Sequence, residues 1–419
     1  MKQIKWKYAT ANIHCKVLED EALQQIDNIT NCIWMEWSNI EIMPDAHSWK
    51  GCVIWFTATI NDKIIPNLVW VDIGCWMAYA KFSYYWDINF EELDRFIREH
   101  IPSWFDIRDK RYWLKSDEHF QFTSLWVINY DLLDKLRCKR VDLDRAEKSI
   151  WTLWWWNHFI EIDKCWENEY YLVVHSWSRY LWKQICEYYQ DLALESMKKN
   201  VRINWRTKNE MIQHLKESGR ESEIQNYIKL FHSLNQEYVE RNKDVAFLEW
   251  KDMEDYIHDA NICKLYAQFN REVMVTQILN YFWVLPEWLK IKHTIHNYID
   301  TDEMIIRKWA IKNYEECLIP INMRDWAFIV SRKDNMKWER NNSLPHWAGR
   351  LMSRNKARES IWLDEYKKSM EWIRSSCVVE STIDESPMAY KSIDDIRDVI
   401  EEVCVIKKHI KPIYNFKAE

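Results

Sequence analysis

The sequence predicts an α+β fold in a single domain spanning residues 1–419, and three observations carry the prediction. Short apolar runs rich in β-branched residues, namely CVIWFTATI at 52–60, KIIPNLVWVDI at 63–73 and MAYAKFSYY at 77–85, are typical of strands with tight loops between them. The segment Phe90–His100 places apolar side chains at helical spacing. No Pro-, Gly- or Ser-rich linker, repeat or low-complexity tract interrupts the chain, which is long enough to bury a large core.

The remaining elements follow in order. We expect a helix over 19–29, a helix over 142–150, and two strands over 158–163 and 170–175. From about 180 to 282 the pattern is mainly helical, and one long amphipathic face is formed by Met253, Tyr256, Ile257, Ala260, Cys263 and Ala267.

Within that helical part, residues 198–243 are strongly charged, so we expect them to be exposed. Residues 290–350 return to short strands and loops, and 363–373 to helix. The C-terminal part is expected to alternate short strands with a helix at Ile393–Val403.

Composition indicates a soluble globular protein. Charged residues make up 29% of the chain and hydrophobic residues 47%. The N-terminus has no apolar signal core and no run reaches membrane-spanning length, so we expect a cytoplasmic location. Eleven cysteines without CxxC pairs indicate reduced thiols. A net charge of −7 argues against indiscriminate nucleic-acid binding, so any RNA contact needs a local basic patch.

Two residue counts are abnormal: 28 tryptophans and only 4 glycines. Glycine normally makes up about 7% of a protein, which is about thirty residues here and close to the two counts combined. Several tryptophans, such as Trp76, Trp177 and those at 154–156, stand where turns need glycine. We hypothesise that most of these codons are UGA, read as glycine in the source organism. The alternative is a genuinely tryptophan-rich protein, and the coding DNA would distinguish the two.

Five residues of metal-binding type stand beside strand-like runs. Asp72 and Cys75 lie three apart on a turn after an apolar strand, so both can face one point. His158, His175 and His296 each begin or follow a strand-like run. Taken singly, they are typical of a buried carboxylate, a core thiol and structural histidines. Together they make a plausible ligand set for two metal ions, although spacing alone does not establish convergence.

Six motifs, in order along the chain, resemble those of RtcB-type RNA ligases. SLPHWAGR at 343–350 is similar to the loop in which a histidine of that family carries GMP covalently. The other five are MPDAH at 43–47, VDIGCWM at 71–77, TLWWWNHFIEID at 152–163, VVHSWSR at 173–179 and HNYID at 296–300. The resemblance spans most of the chain. It implies the compact RtcB fold, with the helices at about 180–282 as an insertion.

The resemblance assigns the metal ligands. Cys75 would bridge two Mn²⁺ ions, Asp72 and His158 would complete one site, and His175 and His296 would complete the other. Mn²⁺ is the metal of the family, but thiolate and imidazole ligands would also suit Zn²⁺ or Co²⁺.

The resemblance also assigns the nucleotide site. His346 would attack the α-phosphorus of GTP as a neutral imidazole. Without the resemblance, a histidine after a proline in a loop is more often an ordinary loop residue. Lys417 matches a near-terminal lysine that contacts guanine, and in PINM at 320–323 two residues replace the Gly-Ser of the family's loop. The positions that match GTP contacts are Asn157, His158, Asn297, Pro320, Asn322, Met323, His346, Ala348, Gly349, Tyr390 and Lys417.

Several polar residues are candidates for phosphate contacts or lie near the expected site. Arg179, Arg350 and Arg354 can bind phosphate bidentately, but the run 350–358 also fits a solvated helix face. Asp45 and His47 match a family motif near the site and equally fit a polar turn.

The activity implied is GTP-dependent ligation of an RNA 3′-phosphate or 2′,3′-cyclic phosphate end to a 5′-hydroxyl end. GTP and RNA are the implied partners. Two alternatives stay open at this point. One is a di-metal phosphoesterase that uses the same cluster without covalent GMP. The other is a non-catalytic RNA-binding protein, if the tryptophans are genuine and obstruct the nucleotide.

Overall fold

Two large β-sheets organise the fold in the computed structural model. The structure describes residues 2–5, 7–15, 18–44, 46–49, 51–69, 73–103, 106–111, 131–153, 158–203, 205–284, 290–314, 316–333, 339–346 and 349–417. The strands are β1 (Lys2–Lys5), β2 (Thr10–Ile13), β3 (Asn39–Ile42), β4 (Phe56–Thr59), β5 (Lys63–Ile64), β6 (Trp76–Ser83), β7 (Phe159–Trp166), β8 (Glu169–Ser176), β9 (Leu248–Glu249), β10 (Ile291–Ile295), β11 (Asn297–Asp300), β12 (Ile305–Lys308), β13 (Ala310–Lys312), β14 (Cys317–Ile319), β15 (Ala327–Arg332), β16 (Ser343–Pro345) and β17 (Cys404–Lys417).

Within the described residues, one sheet has six strands in the order β1-β2-β3-β4-β12-β11. The other has seven, in the order β10-β6-β8-β7-β17-β15-β14. The pairs β13–β16 and β5–β9 form two small ribbons. Among these described strands only β2 and β3 pair in parallel. The largely antiparallel sheets place strand ends from distant parts of the chain at common edges.

Helices cover the sheets and form most of the middle of the chain. They are α1 (Asp20–Thr30), α2 (Phe90–His100), α3 (Asp131–Asp134), α4 (Leu143–Lys148), α5 (Arg179–Ile203), α6 (Trp205–Glu217), α7 (Ile224–Asn242), α8 (Trp250–Tyr281), α9 (Arg354–Ser360), α10 (Leu363–Ser369) and α11 (Ile393–Val403). Asn89 and Asp142 cap α2 and α4 by accepting a backbone N–H three residues on. The α+β class is therefore confirmed. None of the helices in the described ranges is long and apolar enough to span a membrane.

The core lies between the sheets and α8. The predicted face of α8 is buried at Met253, Tyr256, Ala260, Cys263 and Ala267. By contrast, α7 has no fully buried residue among those described, which confirms the exposure predicted for this part of 198–243. In α6, Lys208 and Leu215 are buried, so the prediction does not hold there.

Three sequence predictions need correction. The expected C-terminal short strands are wrong, because Cys404–Lys417 forms one strand of 14 residues. Pro412 is tolerated there because the register shifts between Pro412 and Tyr414, where a ladder N–H is not required. The helix expected over 363–373 ends at Ser369. The apolar run after Ile64 forms a 3-10 helix at Pro66–Leu68, because proline at its start favours a helical turn over a strand.

Tryptophan occupies backbone that favours glycine. Eleven described non-glycine residues have positive φ, and six of them are tryptophan, with φ between 52° and 69°. They are Trp37, Trp55, Trp151, Trp250, Trp283 and Trp309. A bulky residue in this region is a genuine outlier, because its Cβ crowds the following carbonyl oxygen. The backbone therefore agrees with the hypothesis that these positions are glycine.

Candidate metal and nucleotide site

One edge of the seven-stranded sheet gathers five strand ends. Trp76 at the start of β6 pairs with Ser176 at the end of β8 and with Ile295 at the end of β10. Phe159 at the start of β7 pairs with His175 of β8 and with Lys417 at the end of β17. Residues 75, 158, 175 and 296 each lie within one position of these pairs. The register of the sheet therefore brings the predicted ligands to one place.

The ligand atoms are close together. Cys75 Sγ lies 3.2 Å from His175 Nε2 and 3.5 Å from His158 Nε2. His175 Nε2 lies 3.4 Å from His296 Nε2. The ligand atoms of Cys75, His175 and His296 all lie within 4.8 Å of one another, and these three residues are buried. The donor set of one thiol and three imidazoles fits a divalent transition metal.

Electrostatics keeps the imidazole of His296 available as a ligand. Burial lowers its pKa well below the usual value, and the neighbouring His346 and His175 lower it further. A neutral imidazole offers a lone pair to a metal ion. Its Nδ1 is buried and has no hydrogen-bond partner among the described residues. Asp72, the fifth predicted ligand, lies outside the described residues.

His346 stands directly beside this cluster. It follows β16, which pairs with β13, and its ring centroid lies 4.5 Å from that of His296. The side chain is 1% exposed. Burial lowers the pKa of His346 well below its usual value, and His175 lowers it further, although a hydrogen bond with the Trp309 backbone raises it. The imidazole is therefore neutral at physiological pH.

Tryptophan side chains surround His346 and the Cys-His cluster. The rings of Trp55 and Trp309 lie 6.0 and 5.4 Å from that of His346, and both residues have left-handed backbone. Trp177 stacks on His158 at 6.2 Å with 17° between the planes. If these positions are glycine, the indoles disappear and space opens around the predicted nucleophile.

A pocket lies beside the cluster and is lined by five of the eleven predicted nucleotide contacts. Its lining residues are Phe159, Glu161, Pro320, Ile321, Asn322, Met323, Glu385, Tyr390, Asn415 and Lys417. Phe159 also packs against His175, with 5.3 Å between the ring centroids, so it lies between the pocket and the Cys-His cluster. The side chain of Asn322 bonds within its own loop, accepting from Arg324 N and donating to Asp325.

Charged groups at the pocket form two sets. Lys417 Nζ donates to Glu385 at 2.7 Å, and the Tyr390 hydroxyl donates to the same carboxylate at 2.8 Å. Burial alone would raise the pKa of Glu385, but the nearby Lys417 and arginines hold it well below its usual range. The second set lies on the paired strands β17 and β7, where Asn415 Nδ2 donates to Glu161 at 2.6 Å.

Glu161 has an acidic neighbour, Asp163, two positions along the same strand. Burial raises the pKa of Glu161 to about 7 and that of Asp163 well above its usual value. Because the two carboxyl groups are buried close together, a negative charge on Glu161 disfavours ionisation of Asp163. The pocket thus holds a fixed anion at Glu385 and a titratable one at Glu161.

Other predicted residues lie around these two centres. Asn297 directly follows His296 of the cluster, is buried and donates to Val69 O at 3.2 Å, and it does not line the pocket. Gly349 is buried and its carbonyl accepts from Lys391 N at 2.9 Å. Burial lowers the pKa of His47, with Arg350 lowering it further and Glu19 raising it. Asn157, Ala348, Asp45, Trp347 and residues 154–156 lie outside the described residues, as does the side chain of Arg179.

The arginine-rich run 350–358 is only partly exposed to solvent. Arg350 donates to the Tyr390 hydroxyl at 3.1 Å and lies 3.5 Å from the Glu385 carboxylate. Arg354 and Arg358 form ion pairs with Asp384 at 2.6 and 3.1 Å. All three are therefore held against buried acids, although the side chain of Arg358 stays exposed.

Sequence reasoning missed three polar residues of the pocket: Glu161, Glu385 and Asn415. Glu161 stood inside a recognised motif, three positions after His158, and alternation along the strand could have identified it as facing the same side as Phe159. Glu385 stood five positions before Tyr390 with no local pattern to mark it.

Comparison with known proteins identifies a family. Residues 25–418 match the family model described as tRNA-splicing ligase RtcB. The chain is 25% identical over 426 residues to "RNA-splicing ligase RtcB" of Escherichia coli strain K12, covering 93% of both chains. It is 26% identical, with the same coverage, to "RNA-splicing ligase RtcB1" of E. coli strain ATCC 25922. These matches confirm the resemblance predicted from the motifs.

Proposed function

Because the chain belongs to the RtcB family, we propose that it is a GTP-dependent RNA ligase working through a covalent histidine–GMP intermediate. It would join RNA 3′-phosphate or 2′,3′-cyclic phosphate ends to 5′-hydroxyl ends. One observation carries the proposal: the buried, neutral His346 lies 4.5 Å, ring to ring, from a histidine of the Cys-His cluster.

The first step follows from the neutrality of His346. A ring nitrogen attacks the α-phosphorus of GTP, a P–N bond forms, and the bond to the bridging oxygen of the β-phosphate breaks. Pyrophosphate leaves with that electron pair. The ring proton is lost to solvent, so the adduct is a neutral imidazole phosphoramidate.

The Cys-His cluster would supply the metal ions that the reaction needs. Cys75, His158, His175 and His296, with Asp72, would hold two divalent cations. Bound there, the cations would neutralise charge on phosphate oxygens next to His346. The family uses Mn²⁺, although the donor atoms themselves also suit Zn²⁺ or Co²⁺.

The pocket chemistry fits guanine. Guanine presents N–H donors at N1 and the 2-amino group, and an acceptor at O6. Glu161 can accept from the donors, and Lys417 can donate to O6, because both line the same pocket. Tyr390 adds an aromatic face at that pocket.

Two later steps complete the ligation. GMP passes from His346 to the RNA 3′-phosphate, and the 5′-hydroxyl of the second RNA then attacks that activated phosphate with loss of GMP. A cyclic phosphate is first opened by hydrolysis. Arg350 and Arg354 are the proposed contacts for the RNA phosphates, because both flank the pocket and carry a fixed charge.

Covalent labelling tests the proposal. The protein is prepared in a glycine form, with glycine in place of tryptophan at positions 70, 76, 154, 155, 156, 177, 182, 309, 326 and 347, which lie in or near the motifs, and at the left-handed positions 37, 55, 151, 250 and 283. With Mn²⁺ and α-labelled GTP it should acquire an acid-labile, alkali-stable adduct. His346→Ala should abolish labelling, whereas His409→Ala, a histidine outside the cluster, should retain it. Undiminished labelling of His346→Ala would refute the proposed nucleophile.

The same assay separates the alternatives. A di-metal phosphoesterase would hydrolyse phosphoesters without labelling. His346→Ala should still join an RNA supplied with a preformed 3′-guanylylated end, because the Cys-His cluster remains. If the chain with all its tryptophans labels as well as the glycine form, the recoding hypothesis is wrong.

A further inference from the structure

A single buried carboxylate, that of Glu385, joins the nucleotide pocket to the arginines beyond it. Its Oε2 accepts from Lys417 Nζ at 2.7 Å and from the Tyr390 hydroxyl at 2.8 Å. Its Oε1 lies 2.6 Å from Arg354 Nη1 and 3.5 Å from Arg350 Nη1. Four donors therefore surround one carboxylate, and two of them belong to side chains that line the pocket.

The Lys417–Glu385 pair is deeply buried. Both side chains are 4% exposed. An ammonium group at this depth is costly unless it faces an acceptor of opposite charge. Glu385 therefore fixes the direction in which the Lys417 ammonium points. The ammonium has three N–H groups, so two remain for a ligand in the pocket after one is donated to Glu385.

We propose that Glu385 is a positioning residue for base specificity. It holds Lys417 where the lysine can donate to the O6 of a guanine base, and it holds Tyr390 at the wall of the same pocket. The inference rests on the proposed function, because it concerns how the pocket recognises GTP. Glu385 itself need not touch the nucleotide.

The adjacent residue provides a matched control. Asp384 is 2% exposed and Glu385 is 3% exposed, so both are buried acids at the same place in the chain. Asp384 pairs with Arg354 and Arg358, and it does not line the pocket. Neutralising Asp384 removes the same charge without releasing Lys417.

The test compares three nucleotides in the labelling assay, using the full-length glycine form and its variants. GTP is the reference. In 6-thio-GTP, sulfur replaces the oxygen that Lys417 would contact. ITP lacks the 2-amino group proposed to face Glu161. The half-saturating concentration and the maximal labelling rate are measured for each nucleotide with the parent, Glu385→Gln, Glu385→Asp and Asp384→Asn.

Glu385→Gln should raise the half-saturating GTP concentration about tenfold or more while changing the maximal rate much less, since the nucleophile and cluster are untouched. Its preference for GTP over 6-thio-GTP should shrink, and its preference for GTP over ITP should persist. Glu385→Asp, which keeps the charge, should recover part of the loss and provides the test if Glu385→Gln does not fold. Asp384→Asn should keep the half-saturating GTP concentration within about twofold of the parent, because Asp384 pairs with Arg354 and Arg358 and does not line the pocket.

Unchanged GTP saturation in Glu385→Gln would overturn the inference. So would equal loss of both nucleotide preferences, because general damage to the pocket predicts that result. A parent protein that takes no label from GTP at all would instead refute the proposed function. The two failures are therefore distinguishable.

Discussion

Three exposed tryptophans offer a direct energetic test of the glycine hypothesis. Trp37, Trp250 and Trp283 have φ of 69°, 52° and 58°. Their side chains are 85%, 80% and 90% exposed, so glycine there removes almost no burial. A left-handed backbone costs an L-residue about 1–2 kcal/mol, and glycine costs about 0.5–1 kcal/mol in chain entropy. The net gain is about 1 kcal/mol per site, or about 3 kcal/mol for the triple glycine variant.

The matched control uses Trp86, Trp166 and Trp372. These side chains are 71%, 71% and 84% exposed, and none has left-handed backbone. Glycine at these positions relieves no strain and adds chain entropy to the unfolded state, so the triple variant should lose about 1–3 kcal/mol. The two triple variants therefore differ in the sign of their effect.

Urea unfolding of the parent and of each triple variant measures the difference, at matched m-values. We expect the midpoint to rise for the left-handed set and to fall for the control set. Changes of the same sign and size in both sets would show that tryptophan is tolerated at left-handed backbone. That result would refute the structural part of the reasoning and leave only the composition argument.

Further predictions follow from the site and its support. Cys75→Ala should lose both metal ions, and full occupancy by metal analysis would count against a bridging thiolate. Arg307→Met should destabilise the fold by about 3–5 kcal/mol in urea unfolding, because it removes a fully buried cation from the buried Asp300 and the partly buried Glu303, each 2.7 Å away. Lys312, 3.0 Å from both acids, remains as their charged partner among the described residues. An unchanged midpoint would contradict this prediction. Burial alone would raise the pKa of these two acids, but Arg307 lowers it, so their contribution is present above about pH 4 and is lost as the pH falls further. GMP labelling should persist below about pH 6.5, because the lowered pKa keeps His346 neutral there, and a labelling midpoint at or above 6.5 would contradict the burial argument.

The predictable part of the site consists of residues next to strand ends. Short apolar runs are flanked by all four cluster residues, Cys75, His158, His175 and His296. Their motifs indicate a shared function even without knowledge of how the strands pair. The structure brings these four together with His346. The roles of these residues stay predictions, as do the cytoplasmic location and the single domain over 1–419 with a helical insertion.

The unpredictable part depends on partners distant in the chain. Glu385 is 32 residues from Lys417, and nothing between them marks an ion pair. Whether a glutamate is a solvated surface charge or a buried anchor is decided by which cations fold against it. Likewise, composition gave the number of anomalous tryptophans, but only backbone φ identified Trp37, Trp250 and Trp283 as strained.

The register between β17 and β7 brings two segments that are far apart in the sequence to the same pocket. Asn415 pairs with Glu161 and Lys417 pairs with Phe159, so all four side chains face the same side and line the pocket. Ile413 is the additional residue at the shift between Pro412 and Tyr414. Without it, the residues beyond the shift would pair one position away, and a slip of one residue turns each side chain to the opposite face of the sheet. Lys417 would then point away from the pocket. The lysine could be recognised from its position near the end of the chain, but its place beside Glu161 depends on this bulge, which is a property of the folded sheet.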